Sequence, residues 1–409
     1  MRNFRNYNNP DKHNGFTLVE LMVSIVLALF LAIVAGQSYV STKTTYRATE
    51  QNARIQENLR FATHFINREV RQAGNIGCFQ TITSHLIGPD TNFDRETIRG
   101  LYDFRQPVNV WRYQQDDNFD LSSNAAYSVP ALARNQWNDA DARRRPLRSL
   151  DNQVMRGSDL ISVTKISEPL GIRLSDINNL NSDQLNVQQL NGNTIPTGQV
   201  LLVGDCNSAD LFVHTGAQQD GTTGVLERGN SNLDVRNNLD GSTWQKNWDS
   251  SAEVRLVEST IFFIGQGASN LPALFKLDLG LGGSAQPLEI VDGIEFMRAL
   301  VGLDSNDDNV LDQYARIDEI GGIANYPNIR SLQIGLLAVG DENTSIDAAN
   351  NRTFQLTQRH QVTSPDSIPP EFSPNSGGVD DTRYRQSTTT TIELRNAGLR
   401  RKPEVFDFL

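Results

Sequence analysis

One carboxylate interrupts the long apolar run near the start of this 409-residue chain. Glu20 is the only charged residue between Phe16 and Gly36. A carboxylate inside a membrane helix costs about 2.5–3.5 kcal/mol on insertion scales, so such a residue usually has a partner of opposite charge. Because that attraction is strong only at short range, a helix in the wrong axial position would leave the acid unpaired. Glu20 is therefore predicted to fix the axial register of this helix among its neighbours.

The residues around this acid form a specific string. Positions 14–22 read Asn-Gly-Phe-Thr-Leu-Val-Glu-Leu-Met and follow a short polar leader. The string resembles the N-terminal signature of type IV pilins and of the pseudopilins of type II secretion. The resemblance implies that a dedicated prepilin peptidase cuts after Gly15 and methylates Phe16, the new N-terminus. It also implies that Glu20 pairs with the free N-terminal amine of a neighbouring subunit as a filament grows.

Two other interpretations of this segment are open. An ordinary secretory signal peptide has a cationic start, an apolar stretch and a small-residue cleavage site. Here residues 32–35 match the A-x-A pattern poorly, and a glutamate in the apolar stretch is unusual. The second alternative is a plain single-span anchor in which Glu20 reaches the membrane surface. The pilin-type interpretation is favoured because the string is specific and correctly placed.

Charge and composition limit the classes of function. The net charge of −11 argues against a protein that binds nucleic acid. The leader is the exception, because Arg2, Arg5 and Lys12 outweigh Asp11. Positive charge beside an apolar span stays in the cytoplasm, so the rest of the chain is predicted to be exported. Together with the resemblance to type IV pilins, this implies a single-pass protein of the bacterial inner membrane with a periplasmic C-terminus, which enters the pilus, at its tip, after assembly.

A long helix must position this acid. Residues 16–36 are enough to cross a hydrocarbon layer of about 30 Å. Beyond them, apolar residues recur at three- and four-residue steps, which predicts an amphipathic helix ending near Gly74; they are Ile55, Leu59, Ala62, Ile66, Val70 and Ala73. The predicted domains are therefore a leader (1–15), the transmembrane half of the helix (16–36), its amphipathic half (37–74) and a periplasmic globular head (75–409).

The head is predicted to be mainly antiparallel β-sheet, which makes the fold class α+β. Short runs rich in Val, Ile, Phe and Thr predict strands at 160–166, 200–203, 211–214, 254–264, 273–279, 288–300, 329–339 and 388–394. Three stretches rich in Asn, Asp, Gly, Ser and Gln are expected to be loop insertions: 106–153, 207–251 and 341–386.

The chain has two cysteines, Cys78 and Cys206. In an exported protein, a minimal even number of cysteines predicts one disulfide bond. Two separate buried thiols are the alternative. No C-x-x-C sequence or cysteine–histidine cluster indicates zinc or redox chemistry.

Several features of the head narrow the resemblance to one family. Arg-Gln-Ala-Gly at 71–74 precedes Gly77-Cys78, and Gly-Asp-Cys at 204–206 follows a predicted strand. An acidic loop follows the strand at 294–303, and Thr-Thr-Ile-Glu-Leu-Arg-Asn occupies 390–396. Together with the N-terminus, these features resemble the PilW family of minor pilins. The resemblance implies a low-abundance subunit that joins other minor pilins in a priming complex and caps the pilus tip, often with a large adhesin.

The acidic loop also resembles a calcium-binding loop. Oxygen ligands would come from alternate positions: Asp304, Asn306, Asp308, the Val310 carbonyl and Asp312. Two positions depart from the pattern, because Asn309 replaces the usual glycine and Ala315 the usual bidentate glutamate. A solvated acidic turn is the alternative. No cofactor is expected to be required, and calcium is the candidate metal.

The sequence lacks G-x-S-x-G and P-loop motifs, and it is not predicted to be an enzyme. The favoured function is a minor pilin that helps to prime type IV pilus assembly at or near the tip. The alternatives are a type II secretion pseudopilin (a J-like component) and, more distantly, a membrane-anchored periplasmic enzyme or receptor. The expected partners are other minor pilins, the major pilin, a tip adhesin, the prepilin peptidase and the inner membrane. Neither a small-molecule substrate nor nucleic acid is expected.

Overall fold

The structure is a computed structural model of the chain. It describes residues 17–87, 101–104, 106–113, 118–120, 137–138, 150, 152–233, 235–239, 243–281, 286–308, 310–343, 352–363, 381–396 and 406–408. The predicted leader, Gly15 and Phe16 lie outside the described residues.

One long helix, α1 (Leu18–Gln72), precedes the strands. In chain order the strands are β1 (Thr81–Ser84), β2 (Leu86–Ile87), β3 (Val108–Tyr113), β4 (Asn118–Asp120), β5 (Trp137–Asn138), β6 (Leu160–Ile166), β7 (Arg173–Leu174), β8 (Gln184–Gln188), β9 (Val200–Gly204), β10 (Ser208–Val213), β11 (Thr223–Glu227), β12 (Arg236–Asn237), β13 (Glu253–Gln266), β14 (Pro272–Asp278), β15 (Leu288–Asp292), β16 (Ile294–Leu303), β17 (Gln313–Ala315), β18 (Ile329–Asn343), β19 (Thr353–Gln355), β20 (Gln361–Thr363), β21 (Arg383–Glu393) and β22 (Phe406–Phe408). Short 3₁₀ helices lie at Leu279–Leu281, Ile317–Glu319 and Ile323–Asn328.

The chain divides into two compact units, Met1–Glu50 and Gln51–Leu409. In the described part of the first unit the chain is helical from Leu18, and its apolar side chains are exposed. By length and composition, α1 could cross a membrane. No proline interrupts the helix at Gly36, and α1 continues through that position.

In the second unit, α1 buries one stripe of side chains. The buried positions include the six predicted from the sequence: Ile55, Leu59, Ala62, Ile66, Val70 and Ala73. The predicted amphipathic stripe is therefore confirmed. The helix ends before Gly74, whose φ of +72° places it in the left-handed region that favours glycine. A Cβ at this position would lie 3.1 Å from the Pro107 side chain.

A four-stranded antiparallel sheet has the order β17–β16–β18–β21, and Ile55 of the buried stripe lies beside Gly340 of β18. Two polar contacts fix the helix, one to the last residue of β15 in the larger sheet and one near the end of β18. The Asn58 side-chain amide donates to the Asp292 carbonyl at 2.9 Å, and the Asp341 N–H donates to Gln51 Oε1 at 3.3 Å.

A larger sheet forms the rest of the head, with the path β11–β8–β7–β13–β9–β10–β1–β22. Its longest strand, β13, also pairs with β6 and β14, and these pairings are antiparallel. The pairs of β1 with β10 and with β22 are parallel. With one long helix and mostly antiparallel sheets, the α+β prediction is confirmed.

Two parts of the strand prediction are wrong. The predicted strand 288–300 is two strands, β15 and β16, because Gly293 with φ of +71° turns the chain between them. The stretches expected to be loop insertions also contain sheet strands. In 106–153, all six residues of β3 are buried, and in 207–251, β11 pairs with β8 along five residues.

Candidate functional site

The N-terminal end of α1 presents Glu20 in its first turn. Thr17 caps the helix, because its hydroxyl accepts a hydrogen bond from the Glu20 N–H at 3.3 Å. The Thr-x-x-Glu spacing in the sequence is itself the signature of a helix start, and it could have predicted where α1 begins. An acid in the first turn is also favoured by the positive end of the helix dipole.

The Glu20 carboxylate is exposed, and within the described residues it makes no hydrogen bond or ion pair. The Ser24 hydroxyl one turn later donates to the Glu20 backbone carbonyl at 2.7 Å, so it leaves the carboxylate unengaged. The acid is thus positioned by a regular, capped helix turn. Its negative charge is available to a group from outside this chain.

The surroundings of Glu20 are apolar in every direction. The large apolar side chains from Leu18 to Val34 are exposed by 48% to 74%, and they cover all faces of the helix. A helix of this kind is stable only when lipid or other apolar helices surround it. In such surroundings an unpaired carboxylate is strongly disfavoured, and a nearby cation would stabilise it.

Polar residues follow the apolar segment without breaking the helix. Their hydroxyls donate to backbone carbonyls three or four residues earlier, as in Thr42 to Ser38 at 2.8 Å and Thr49 to Thr45 at 2.8 Å. These bonds satisfy the hydroxyls locally. The helix can therefore continue from an apolar to a polar environment.

A disulfide bond joins Cys78 to Cys206, as predicted, with the two Cα atoms 4.9 Å apart. Cys78 lies just after α1, and Cys206 lies in the turn between β9 and β10. Beside the bond, the Thr81 N–H donates to the Asn207 carbonyl at 3.2 Å, and β1 pairs with β10. In the chain-entropy model, closing a loop of this length stabilises the fold by about 5 kcal/mol. The bond fixes the end of the helix to the larger sheet.

A partly buried ion pair holds the same end of α1. Lys165 Nζ donates to Glu69 Oε2 at 2.8 Å and to Gln72 Oε1 at 2.6 Å. Burial alone would raise the pKa of Glu69, but the hydrogen bond and charge of Lys165 hold it below its usual value. Burial tends to lower the pKa of Lys165, and its carboxylate partners, Glu69 and Glu258, raise it on balance.

A second ionic cluster lies between β16 and β21. The Arg385 guanidinium donates to both oxygens of Glu295, at 2.7 and 2.8 Å, and it also donates to Asp381. Burial tends to raise the pKa of Asp381, but Arg383 and Arg385 hold it well below its usual range. This cluster cannot be recognised in the sequence, since Glu295 lies 90 residues from its arginine partner.

Buried tryptophans anchor part of the stretch 207–251. Trp244 and Trp248 are each 1% exposed, within a second apolar cluster. Trp248 Nε1 donates to Asp210 Oδ2 at 2.8 Å, and His85 Nε2 donates to Asp210 Oδ1 at 2.8 Å. This part of the stretch is therefore integral to the head.

The acidic loop between β16 and β17 turns its oxygens toward its own chain. The Asp308 N–H donates to Asp304 Oδ1 at 3.2 Å, and the Ser305 N–H donates to Asp312 Oδ2 at 2.7 Å. Arg330 Nε donates to Asp304 Oδ2 at 3.1 Å. Among the described residues, no group of three Asp, Glu, His or Cys side chains is placed to hold a metal ion. Calcium binding by Asp304, Asn306, Asp308, Val310 and Asp312 stays a prediction.

Two family models match the chain. Residues 261–396 match the type IV pilus-assembly protein W (PilW) model, and this range contains the whole four-stranded sheet. Residues 10–36 match the prokaryotic N-terminal methylation motif, which contains Glu20 and the apolar segment.

Among solved structures, the chain is similar to a type IV-like pilin from Thermus thermophilus. The sequences are 10% identical, and the match covers 84% of this chain and 97% of the other. The TM-score of 0.29 is too low for this likeness to support an argument. No curated protein matches the chain.

Proposed function

We propose that this chain, whose residues 261–396 match the PilW model and whose residues 10–36 match the methylation motif, is a minor pilin of a type IV pilus. In this proposal it helps to prime pilus assembly and is incorporated at or near the pilus tip. One observation carries the proposal: the exposed apolar segment within the methylation motif contains a single acid with no partner among the described residues. Such a segment is suited to a bundle of similar helices, and the protein acts by assembly rather than by catalysis.

Processing would precede assembly. The leader (1–15) would be cut after Gly15, and Phe16 would become the methylated N-terminus. Residues 16–36 would then hold the protein in the inner membrane, residues 37–74 would complete the helix, and the head (75–409) would lie in the periplasm. The match to the methylation motif supports this order of events.

Glu20 would select the axial position of the subunit. In a bundle of apolar helices, packing energy changes little when one helix slides along another. The carboxylate meets the N-terminal amine of a neighbouring subunit in one register alone, and this pairing specifies the axial position that apolar packing leaves undefined. The capped first turn positions Glu20 for this pairing, since the Thr17 cap leaves the carboxylate unengaged.

The test replaces Glu20 and compares the result with a matched neighbour. We expect Glu20→Ala to be inserted and processed normally but to co-purify with other minor pilins at least about tenfold less. The substitution leaves the N-terminal amine of the neighbouring subunit unpaired among apolar helices, which costs more than about 1.4 kcal/mol. Ser24→Ala removes a hydroxyl one turn later and should behave as wild type. Normal pilus number and normal co-purification in Glu20→Ala would refute the register role.

Deleting the gene distinguishes this function from that of a type II secretion pseudopilin, whose N-terminal segment would look the same. Loss of surface pili with normal secretion of exoproteins is expected for a pilus subunit. Loss of secretion with normal pili would assign the protein to the secretion machinery. The PilW match over the four-stranded sheet favours the first result.

A further inference from the structure

We propose that the outer edge of β21 and the groove beside it bind an extended, acidic segment of a partner protein as an added β-strand. This groove, lined by residues of α1 from Gln56 to Asn67 and by Gln386 and Thr388 of β21, lies within the second unit. The proposal goes beyond the assembly function, because it concerns the head and does not require Glu20 or the apolar segment.

The edge strand β21 is unusually long. It has 11 residues and pairs with β18 on one side, and in the described part of the chain no strand pairs with its other side. The other described edge strands of the two large sheets, β5, β11, β15, β17 and β22, have five residues or fewer. An unpaired edge presents backbone N–H and C=O groups to any extended chain.

The middle of β21 has none of the usual features that prevent edge pairing. Positions 386–391 read Gln-Ser-Thr-Thr-Thr-Thr, with no proline and no charge. Proteins normally protect an exposed edge by shortness, proline, lysine or a bulge. Threonine, in contrast, favours the extended conformation. The sequence of this edge is therefore suited to pairing.

A groove of about 430 Å³ lies beside this edge. Six side chains of α1 and two of β21 line it: Gln56, Leu59, Arg60, Thr63, His64, Asn67, Gln386 and Thr388. Gln386 and Thr388 are two residues apart in the strand, so they point to the same face of the sheet, toward the helix. A strand added beside β21 would place every second side chain in this groove.

Two buried oxygens in the groove lack hydrogen-bond partners. Asn67 Oδ1 and Gln386 Oε1 are both inaccessible and unpaired in the described structure. A buried acceptor without a donor costs about 1–3 kcal/mol, and such atoms are rare in folded proteins. One comes from the helix and one from the strand. Because both atoms are inaccessible, donors on an added segment would satisfy them after the two amide side chains turn toward it.

The charge of the groove selects an acidic occupant. Arg60 and His64 line it, and no carboxylate does. Both side chains are exposed and therefore accessible to an occupant. A segment with carboxylates on the alternate positions that face α1 would complement this charge, and a basic segment would be repelled.

Purified full-length protein in detergent micelles is the material for the test. The probe is a short labelled peptide in which threonine and glutamate alternate, and its control alternates threonine and lysine. We expect the acidic peptide to bind about tenfold more tightly, by fluorescence anisotropy. Hydrogen exchange should slow at 386–391 when it binds, because the edge amides become paired.

Charge reversal locates the site. Arg60→Glu should abolish the preference for the acidic peptide, whereas Arg71→Glu, an exposed arginine of the same helix outside the groove, should not. If Arg60→Glu fails to fold, Thr388→Glu on the strand side of the groove makes the same test. Both variants remain compatible with a functional N-terminal segment, so a failure here is distinct from a failure of the Glu20 experiment.

Four results would overturn the proposal. They are no binding of the acidic peptide, equal binding of both peptides, equal losses in Arg60→Glu and Arg71→Glu, and slowed exchange at a different strand edge. Slowed exchange at 386–391 that depends on protein concentration alone would instead identify a second copy of the chain as the occupant, and it would also contradict the proposal.

Discussion

The two halves of α1 share one secondary structure but differ in what covers their apolar side chains. In the first unit, side chains such as Leu18 and Phe30 are exposed on every face of the helix. In the second unit, Ile55, Ile66 and their neighbours are buried in the apolar core of the head. The spacing of apolar residues determines the difference. A continuous apolar surface requires cover from outside the chain, whereas a stripe at three- and four-residue steps requires cover along one side of the helix only.

Removing the disulfide bond should have the largest effect on stability, and it should affect the second unit alone. We expect Cys78→Ser combined with Cys206→Ser to lower the free energy of unfolding of the head by about 3–5 kcal/mol, because the unfolded chain gains freedom. Urea unfolding followed by tryptophan fluorescence measures this change, since Trp244 and Trp248 are buried.

Circular dichroism in micelles provides the control for that experiment. The first unit contains neither cysteine, so its helix should persist when the head unfolds. A double variant as stable as wild type, or a first unit that unfolds with the head, would contradict the expected separation.

Equivalent substitutions in the two halves of α1 test the comparison directly. Ile66→Ala should destabilise the head by about 2–5 kcal/mol, because the side chain is fully buried and its loss leaves a cavity. Ile33→Ala makes the same chemical change where the side chain is 59% exposed, and it should change the free energy of unfolding by less than about 0.5 kcal/mol. Equal losses in the two variants would show that the halves are not covered differently.

The features of α1 that could be predicted from the sequence are those that depend on the spacing of neighbouring apolar residues. The buried stripe and the apolar segment follow from residue periodicity, and strand β6 was predicted with its observed bounds, 160–166. The strand predicted at 288–300 failed at Gly293, where periodicity carries no information about a positive φ. Strand β3 was missed because its burial depends on β6, about fifty residues later.

The polar contacts of the head could not have been predicted from one sequence. The pairs Lys165–Glu69 and Arg385–Glu295 join residues about ninety positions apart, and scattered charges carry no mark of their partners. The groove beside β21 also depends on how helix and sheet meet. In contrast, Glu20 was identified at once, because a single acid in an apolar run is a local anomaly.

Acid should weaken the attachment of α1 to the head. The pKa of Glu69 is lower in the folded protein than its ordinary value of 4.5, so its stabilisation is present above that pH. This stabilisation, about 1–2 kcal/mol, should be lost as the pH falls through the pKa that Glu69 has in the folded protein. The stabilisation linked to the raised pKa of Lys165 is fully present below pH 10.5 and is lost only above it, so it stays constant over this acid range.

Glu69→Gln tests this assignment. The variant should be less stable at neutral pH, and the difference from wild type should shrink as the pH falls below 4.5. Thermal unfolding between pH 3 and pH 7 measures it, with Glu57→Gln on the exposed face as the control. A difference that stays constant with pH would contradict the role of the ion pair.

Calcium should have the smallest effect. The predicted loop follows β16 in the second unit, and Arg330 already neutralises part of its charge. If the loop binds calcium, millimolar calcium should raise the melting temperature of the head by about 2 °C or less. Asp308→Asn should abolish that rise, and magnesium should not reproduce it. No change in melting temperature would leave the loop as a solvated turn.

The most direct test of the account is the mass of the N-terminal peptide from chains recovered in sheared pili. We expect it to begin at a methylated Phe16, because the exposed apolar segment finds its cover inside the filament after the leader is removed. Recovery of the chain from the membrane alone, still beginning at Met1, would contradict the account.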